Sequence, residues 1–382
     1  MNIQSLLPVL YSVTWQHLVM IAVGLTLIYL AIAKEYEPTL LLPMGFGAIL
    51  VNIPLSAAIS QFDPVTGNAV EGALDVLYKA GIANELFPLL IFIAIGAMID
   101  FSPLFKNPFL LLFGAAAQFG IFATMTVATT MGFGLKEAAS IGIIGAADGP
   151  TSIFVSSRFA PNLLGPISVA AYSYMALVPI IIPPVVKILT SRKERMIRME
   201  AHAKSVSKPA LIVFPIIVTI VAGIIAPASI PLIGFLMFGN LIRECGVLNS
   251  LSKSAQNELA NLVTILLGIS IASTMTAERF VNFDTLKIIL LGLVAFVFDI
   301  FGGVMFAKLL NIVLPQGKKI NPMIGACGIS AFPMAARVVH NLGQKEDNTN
   351  YLLMPAVSAN VGGQIGSVVA GGIILALVPL FA

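Results

Sequence analysis

Long stretches without a single charged residue are the feature that most limits what this chain can fold into. Four such stretches cover residues 108–135, 159–186, 209–242 and 351–382. An apolar run of about 18 or more residues is long enough to cross a bilayer as a helix. Only 10% of the 382 residues are charged and 58% are hydrophobic, whereas soluble domains carry roughly 25% charged residues. The sequence therefore predicts an all-α polytopic protein of the cell membrane.

The order of apolar segments occurs twice along the chain. Each half has about five predicted spanning helices and one stretch that Gly and Pro interrupt, at 138–158 in the first half and 320–341 in the second. The predicted spans are 17–33, 38–56, 85–101, 108–134, 163–190, 209–226, 229–246, 258–277, 285–314 and 351–380. The segment IGAADGPTSIF (144–154) begins like IGACGISAF (324–332). An internal repeat of this kind is common in transporters.

A basic linker between the halves sets the predicted orientation. The chain divides into a first repeat (1–190), a linker (191–208) with six Lys and Arg residues, and a second repeat (209–382). Short basic segments stay on the cytoplasmic side. If each broken stretch is re-entrant, each half crosses five times and the second half is inverted, which places Lys34 and Lys106 in the cytoplasm. Six crossings per half would move both outside, so we predict inverted repeats.

The first broken stretch places a carboxylate inside the predicted membrane region. Asp148 lies between Ala147 and Gly149 in GAADGPTSIF, and Pro150 follows. Gly and Pro weaken the helix, and opened backbone in a bilayer is tolerated only where protein buries it or where it lines a wet cavity. An ionised Asp at this depth is costly unless a proton, a cation or an Arg pairs with it. Alternatively, Asp148 only caps the helix that begins after it.

Two further polar stretches, NPMIGACGISAFPMAAR (321–337) and SANVGGQIGS (358–367), supply partners for this carboxylate. Asn360 and Ser367 are seven residues apart and therefore share one helix face. The candidate oxygen ligands of the three stretches are Asp148, Thr151, Ser152, Ser330, Asn360 and Ser367. Broken helices that meet inside the membrane bind coupling ions in repeat-built transporters. We predict a Na⁺ site here, with ordinary helix–helix hydrogen bonds as the alternative for Asn360 and Ser367.

Three other polar side chains need an explanation at membrane depth. Tyr174 lies near the middle of its predicted span, so its hydroxyl needs a partner. Arg337 either contacts a substrate or extends to the cytoplasmic surface. Asp299, in VAFVFDIFGG, either faces a polar cavity or pairs with Lys308.

The three motifs together resemble the signature stretches of the β subunits of biotin-dependent, sodium-pumping decarboxylases. That family includes the oxaloacetate, methylmalonyl-CoA, glutaconyl-CoA and malonate decarboxylase complexes, and the resemblance covers nearly the whole chain. It implies that this chain decarboxylates carboxybiotin and couples the reaction to Na⁺ export, with consumption of a proton. A Na⁺-coupled secondary carboxylate transporter is the alternative, because its architecture would be similar.

The resemblance also implies roles for particular residues. The catalytic set that it implies is Asp148, Tyr174, Ser330 and Arg337. The residues that it implies for binding carboxybiotin are Asn321, Gly325 and Arg337. The residues that it implies for binding Na⁺ are Asp148, Ser330, Asn360 and Ser367.

The resemblance finally implies partners. They are a carboxyltransferase α subunit, a biotin carrier protein or domain, and a small membrane-anchor γ or δ subunit, in an oligomeric complex without nucleic acid. The sequence has no biotinyl Met-Lys-Met motif, so the biotin is expected on a partner.

Overall fold

The computed structural model describes residues 12–62, 69–199 and 206–382. This part of the chain is almost entirely helical, which confirms the predicted all-α class. Its only β structure is a pair of two-residue antiparallel strands, β1 (Gln61–Phe62) and β2 (Ala69–Val70).

The first half of the chain holds the following α-helices, with a 3-10 turn at Ile143–Ala146 between α7 and α8. They are α1 (Trp15–Ala33), α2 (Pro38–Val51), α3 (Ala73–Gly81), α4 (Leu86–Met98), α5 (Ser102–Lys106), α6 (Pro108–Thr130), α7 (Leu135–Gly142), α8 (Gly149–Phe159), α9 (Pro161–Ala176) and α10 (Val178–Leu189).

The linker and the second half hold the remaining helices, with a 3-10 turn at Pro322–Cys327 between α16 and α17. They are α11 (Arg192–Arg195), α12 (Lys208–Ile225), α13 (Ile230–Glu244), α14 (Asn249–Thr274), α15 (Ala277–Phe280), α16 (Phe283–Val313), α17 (Met334–Glu346) and α18 (Leu353–Phe381).

Six helices in the described ranges are long and apolar enough to cross a membrane, and two bent pairs raise the number to eight if each pair is one span. This confirms the polytopic class. Three predicted spans are wrong in detail. The predicted helix 258–277 begins earlier, at Asn249 of α14. The predicted helix 163–190 bends by 70° between α9 and α10, because Pro179 cannot donate a backbone hydrogen bond and its ring disturbs the preceding turn. The predicted helix 38–56 ends at Val51, shortly before Pro54, which disfavours helical backbone at the residue before it.

The two broken stretches form as predicted and meet at their tips. The first consists of α7, the 3-10 turn and α8, and the second consists of the Pro322–Cys327 turn and α17. The amide of Ser330 donates a hydrogen bond of 2.8 Å to the carbonyl of Ala146. A non-helical backbone group of one stretch thus forms its hydrogen bond with a non-helical backbone group of the other, as a membrane interior requires.

The two stretches enter from opposite faces of the helix bundle. The first stretch ends in the last turn of α8, where Arg158 pairs with Glu85. Glu85 directly precedes α4 and so marks the start of that helix. The other end of α4 lies with the end of α13, because Arg243 donates to the Met98 carbonyl at 2.6 Å. That end is also the face of the linker. The linker leads into α12, and α12 and α13 pack together as a hairpin, so the start of α12 and the end of α13 lie at the same face.

The second stretch lies at this linker face. Arg195 pairs with Glu346 at 2.7 Å, and Arg198 pairs with Asp347 at 2.7 Å. Hydrogen bonds from Thr349, followed by the Arg198 guanidinium, lower the pKa of Asp347 to about 2. The linker therefore docks on the loops of the second half, at the face that the basic residues predict to be cytoplasmic.

Contacts between the halves are reciprocal. Helix α4 packs on α13 and α2 packs on α14, so the second predicted span of each half contacts the third predicted span of the other. The α4–α13 contact depends on glycine, because a Cβ on Gly96 would lie 1.8 Å from the Leu236 carbonyl oxygen. Small residues let helices approach closely where lipid gives no hydrophobic driving force. Reciprocal contacts and opposite entry are what inverted repeats would produce, although the repeat boundaries stay a prediction.

Candidate functional site

Asp148 lies at the tip of the first broken stretch, at the N-cap of α8. Its Oδ1 accepts a hydrogen bond of 3.1 Å from the Thr151 amide. Asp148 therefore caps α8, and the partial positive charge of the helix N-terminus favours the carboxylate at this position. The residue is 4% exposed.

The second carboxylate oxygen of Asp148 has a different set of partners. Oδ2 accepts hydrogen bonds from the Ser367 hydroxyl at 2.7 Å and from the Ser330 hydroxyl at 3.2 Å. Both serines belong to the second half of the chain and lie 182 and 219 residues from Asp148. Capping thus uses one oxygen, while the other oxygen joins the first broken stretch to the second broken stretch and to α18.

Helix α18 holds the second broken stretch in place. The Asn360 side-chain amide donates to the carbonyls of Ile329 at 2.7 Å and Cys327 at 3.3 Å. Asn360 and Ser367 therefore share the face that their spacing predicts, and both make the helix–helix hydrogen bonds of the alternative interpretation. The Asn360 Oδ1 atom is buried without a hydrogen-bond partner among the described residues, so an oxygen remains for another ligand.

Gln364 belongs to this site, although the sequence did not single it out. It lies between Asn360 and Ser367 on the same face of α18, and its side-chain amide donates to the Ser330 carbonyl. Its position within SANVGGQIGS, four residues after Asn360, is the signal that could have identified it.

A cavity of about 270 Å³ reaches Asp148. Its walls are mostly apolar and come from α2, α4, α9 and α14. Its polar lining residues are Glu37, Thr39, Asp148, Tyr172, Thr264, Ser330 and Gln364. Helix α14 contains a π-helical segment at Ala255–Leu259, directly before the lining residues of that helix. Such segments are frequent at functional sites.

The groups that bond Asp148 and hold the second tip suit a hard monovalent cation. They offer the Asp148 carboxylate together with neutral hydroxyl, amide and carbonyl oxygens, and hard cations prefer oxygen ligands. No group of three His, Cys, Asp or Glu residues that could hold a metal ion occurs within the described ranges. Hydroxyl groups can donate to a bare carboxylate or turn a lone pair to a cation, so Ser330 and Ser367 suit both states.

Tyr174 does not contact this set. Its hydroxyl donates to the Ile289 carbonyl of α16, which confirms that it needs a partner at membrane depth. The side chain lies outside the cavity that Asp148 lines. Its predicted catalytic role therefore stays a prediction without a supporting contact.

Asn321 and Gly325 lie at structural positions. Asn321 donates to the carbonyls of Arg195 and Ile197 at 2.8 Å each and so fixes the linker. Gly325 packs against α16, where a Cβ on it would lie 2.1 Å from the Gly303 carbonyl oxygen. These contacts explain both residues without a cofactor, so their predicted part in binding carboxybiotin stays a prediction.

Arg337 lies in the first turn of α17, three residues after its start, and is exposed. No ion pair or hydrogen bond of its guanidinium occurs in the described part of the chain. An exposed arginine at this position can receive an anionic group from outside the bundle.

Of the two alternatives for Asp299, pairing with Lys308 does not occur. Lys308 pairs with Glu194 at 3.3 Å and donates to the Leu189 carbonyl at 3.1 Å. Nine residues separate Asp299 from Lys308, and Lys308 reaches the linker instead. Asp299 is fully buried against Gly120 of α6, where a Cβ would lie 2.1 Å from the Asp299 Oδ1 atom.

Comparison with known proteins places this geometry in context. The family model described as Na⁺-transporting oxaloacetate decarboxylase beta subunit matches residues 16–378. Methylmalonyl-CoA decarboxylase subunit beta of Veillonella parvula is 51% identical over 359 residues, which cover 94% of this chain and 92% of that protein. Glutaconyl-CoA decarboxylase subunit beta of Acidaminococcus fermentans is 50% identical over 365 residues, with 96% and 94% covered. Oxaloacetate decarboxylase beta chain of Klebsiella pneumoniae is 45% identical over 409 residues, with 94% of each covered.

Proposed function

We propose a function from the premise that this chain belongs to the family of beta subunits of Na⁺-transporting oxaloacetate decarboxylases. It is the membrane subunit of a sodium-pumping decarboxylase. It removes CO₂ from carboxybiotin that a partner carries, moves Na⁺ out of the cytoplasm, and consumes a proton. The transporter alternative has less support, because the family name and the relatives' names all describe decarboxylases.

The observation that carries this proposal is the bonding of Asp148. One buried carboxylate caps a helix of the first half with Oδ1 and accepts two hydroxyls of the second half with Oδ2. A carboxylate binds one cation or one proton strongly, but not both at once. Exchange between the two at Asp148 therefore changes the bonds that join the halves, and it provides a means of coupling ion movement to a change of conformation.

The proton balance of the reaction fits this exchange. Loss of CO₂ from carboxybiotin leaves a biotin nitrogen that must take up one proton. A proton released from Asp148 frees the carboxylate for Na⁺. Movement of one charge against the membrane potential costs about 2.3 kcal/mol per 100 mV, so decarboxylation can supply that work only if it is coupled to the movement of Na⁺.

Arg337 is the residue that we propose for the carboxyl group of the substrate. Its guanidinium is exposed and unpaired within the described ranges, and this group suits bidentate recognition of a carboxylate. The tip of the second broken stretch, at Ser330, connects this arginine to Asp148 through a short piece of backbone. Biotin and its carrier, the carboxyltransferase and a small membrane anchor are the partners that this function requires.

The parent acid is set by the partners in this proposal. The three relatives are named for different acids, which are methylmalonyl-CoA, glutaconyl-CoA and oxaloacetate. Their sequences are nevertheless similarly close to this chain, at 45–51% identity. Different acids with similar membrane subunits are expected if each complex passes the same carboxybiotin to its membrane subunit.

The test is decarboxylation of carboxybiotin by the purified complex with increasing Na⁺. Asp148→Asn should abolish Na⁺-dependent CO₂ release. The Asn side chain can still accept from Thr151, so the complex should remain assembled. Asp284→Asn, at an exposed aspartate in the first turn of α16, is the matched control and should behave as wild type. Unchanged Na⁺ dependence in Asp148→Asn would contradict the proposal, and substrate uptake without CO₂ release would favour the transporter.

A further inference from the structure

Two tyrosines of α9 lie two residues apart and have different surroundings. Two residues correspond to about 200° around a helix, so Tyr172 and Tyr174 point to opposite sides. Tyr174 donates its hydroxyl hydrogen to the Ile289 carbonyl. Tyr172 is 3% exposed, and its buried hydroxyl oxygen has no hydrogen-bond partner among the described residues.

The unpartnered hydroxyl lies beside Asp148. The Tyr172 ring covers Gly149, since a Cβ on Gly149 would lie 2.2 Å from two ring carbons and 2.5 Å from the hydroxyl oxygen. Only glycine at this position allows the ring to approach the residue that follows Asp148. Tyr172 and Asp148 also line the same cavity, together with Ser330 and Gln364.

A buried hydroxyl of this kind indicates a ligand. Tyrosine hydroxyls that are buried usually have a hydrogen-bond partner, and burial without one costs free energy. Thr151 donates its backbone amide to Asp148, and it likewise has a buried hydroxyl oxygen without a partner within the described ranges. Tyr172 and Thr151 therefore both have a hydroxyl oxygen that no hydrogen bond within the described ranges satisfies.

We infer that Tyr172 is a further ligand of the cation that binds at Asp148. Its hydroxyl oxygen supplies a lone pair to Na⁺, in addition to the oxygens of Ser330 and Ser367. The glycine at position 149 is the feature that brings this oxygen close enough. This inference rests on the proposed function, because it requires that Asp148 binds Na⁺.

The test is Tyr172→Phe in the purified complex, with Na⁺ binding measured in the absence of turnover. Two readouts are used: ²²Na⁺ binding, and the increase in Tm that Na⁺ causes, with K⁺ as the comparison ion. Loss of one oxygen ligand should raise the Na⁺ concentration for half-saturation about tenfold. Tyr29→Phe is the matched control, because Tyr29 is 57% exposed on α1, and it should not change Na⁺ binding.

The Tm without Na⁺ separates a ligand from a structural residue. Removal of a buried hydroxyl that has no partner should leave this Tm unchanged or raise it. A lower Tm without Na⁺, a variant that fails to fold, or a half-saturating Na⁺ concentration within twofold of wild type would each overturn the inference.

Asp148→Asn distinguishes failure of the inference from failure of the proposed function. If Asp148→Asn abolishes Na⁺ binding while Tyr172→Phe does not alter it, only the inference is wrong. If Asp148→Asn binds Na⁺ as wild type does, the proposed function and the inference both fail.

Discussion

The two broken stretches have the same plan and different chemistry. The first stretch presents Asp148 at the start of an 11-residue helix, where the backbone amide of Thr151 fixes it. The second stretch presents no carboxylate at its tip. It presents the Ser330 hydroxyl, and its backbone carbonyls accept hydrogen bonds from Asn360 and Gln364 of α18. Only one of the two tips therefore carries the charge, and the other supplies its neutral partners. The comparison suggests that ion binding depends on the two tips together, and substrate binding on α17 of the second stretch.

The largest effect that could break this comparison is expected at Arg337. Arg337→Gln removes the proposed bidentate partner of the carboxyl group, so kcat/KM for carboxybiotin should fall by about 10–100-fold. The Na⁺ concentration for half-maximal rate should not change, because Arg337 does not contact Asp148. Arg279→Gln, at an exposed arginine in α15, is the control. A change in Na⁺ dependence without a loss of kcat/KM would show that Arg337 acts on the ion site instead of on the substrate.

A smaller effect is expected from the hydroxyls that bond Asp148. Ser367→Ala should raise the Na⁺ concentration for half-saturation about tenfold, and Ser330→Ala should raise it less, because hydrogen bonds to a charged group contribute about 1.5–3 kcal/mol and the Ser330 contact is longer. The measurement is ²²Na⁺ binding to the purified complex. The double variant should show a non-additive loss, since both hydroxyls bond one oxygen. Equal and additive effects would contradict a shared site.

Substitution of Asn321 should lower the stability of the protein and leave the binding of carboxybiotin unchanged. Asn321→Ala removes one of the two donors to the carbonyls of Arg195 and Ile197, because the Asn350 side-chain amide also donates to both. The free energy of unfolding should therefore fall by about 0.5–1.5 kcal/mol. The KM for carboxybiotin should stay as in wild type. An increase in KM at unchanged stability would instead support the cofactor role that the resemblance implies for Asn321.

The smallest effect concerns pH and the docked linker. The pKa of Asp347 is about 2 in the folded protein, below its ordinary value of 3.8. A lowered folded pKa means that the contribution of Asp347 is complete above pH 3.8 and is lost as the pH falls towards 2. Limited proteolysis of the linker should therefore be constant from pH 7 to pH 4 and increase only below that range. In Asp347→Asn the linker should be cleaved faster at neutral pH; equal cleavage would show that the Arg198–Asp347 pair does not hold the linker.

The sequence predicts the class, the broken stretches and the central carboxylate because these depend on local signals. Charge-free runs indicate spans, and Gly149 and Pro150 indicate the break beside Asp148. The bend between α9 and α10 was missed, although Pro179 was visible, because a proline within an apolar run ends some helices and only bends others.

Side-chain partners across the fold could not be predicted from local patterns. Asp299 and Lys308 lie on one helix, but Lys308 turns to the linker, which a helical pattern does not contain. The difference between Tyr172 and Tyr174 is of the same kind. Both occur in one short motif, and only the packing of α9 against Gly149 and Ile289 decides which hydroxyl faces Asp148.

The central claim is that one carboxylate couples decarboxylation to Na⁺ movement. The most direct test is the ratio of ²²Na⁺ transported to CO₂ released by the complex in proteoliposomes, for wild type and Asp148→Asn. Wild type should give a fixed ratio at every rate, and Asp148→Asn should transport no Na⁺ while the proteoliposomes remain sealed. Transport of Na⁺ by Asp148→Asn at the wild-type ratio would contradict the claim and place the coupling elsewhere in the chain.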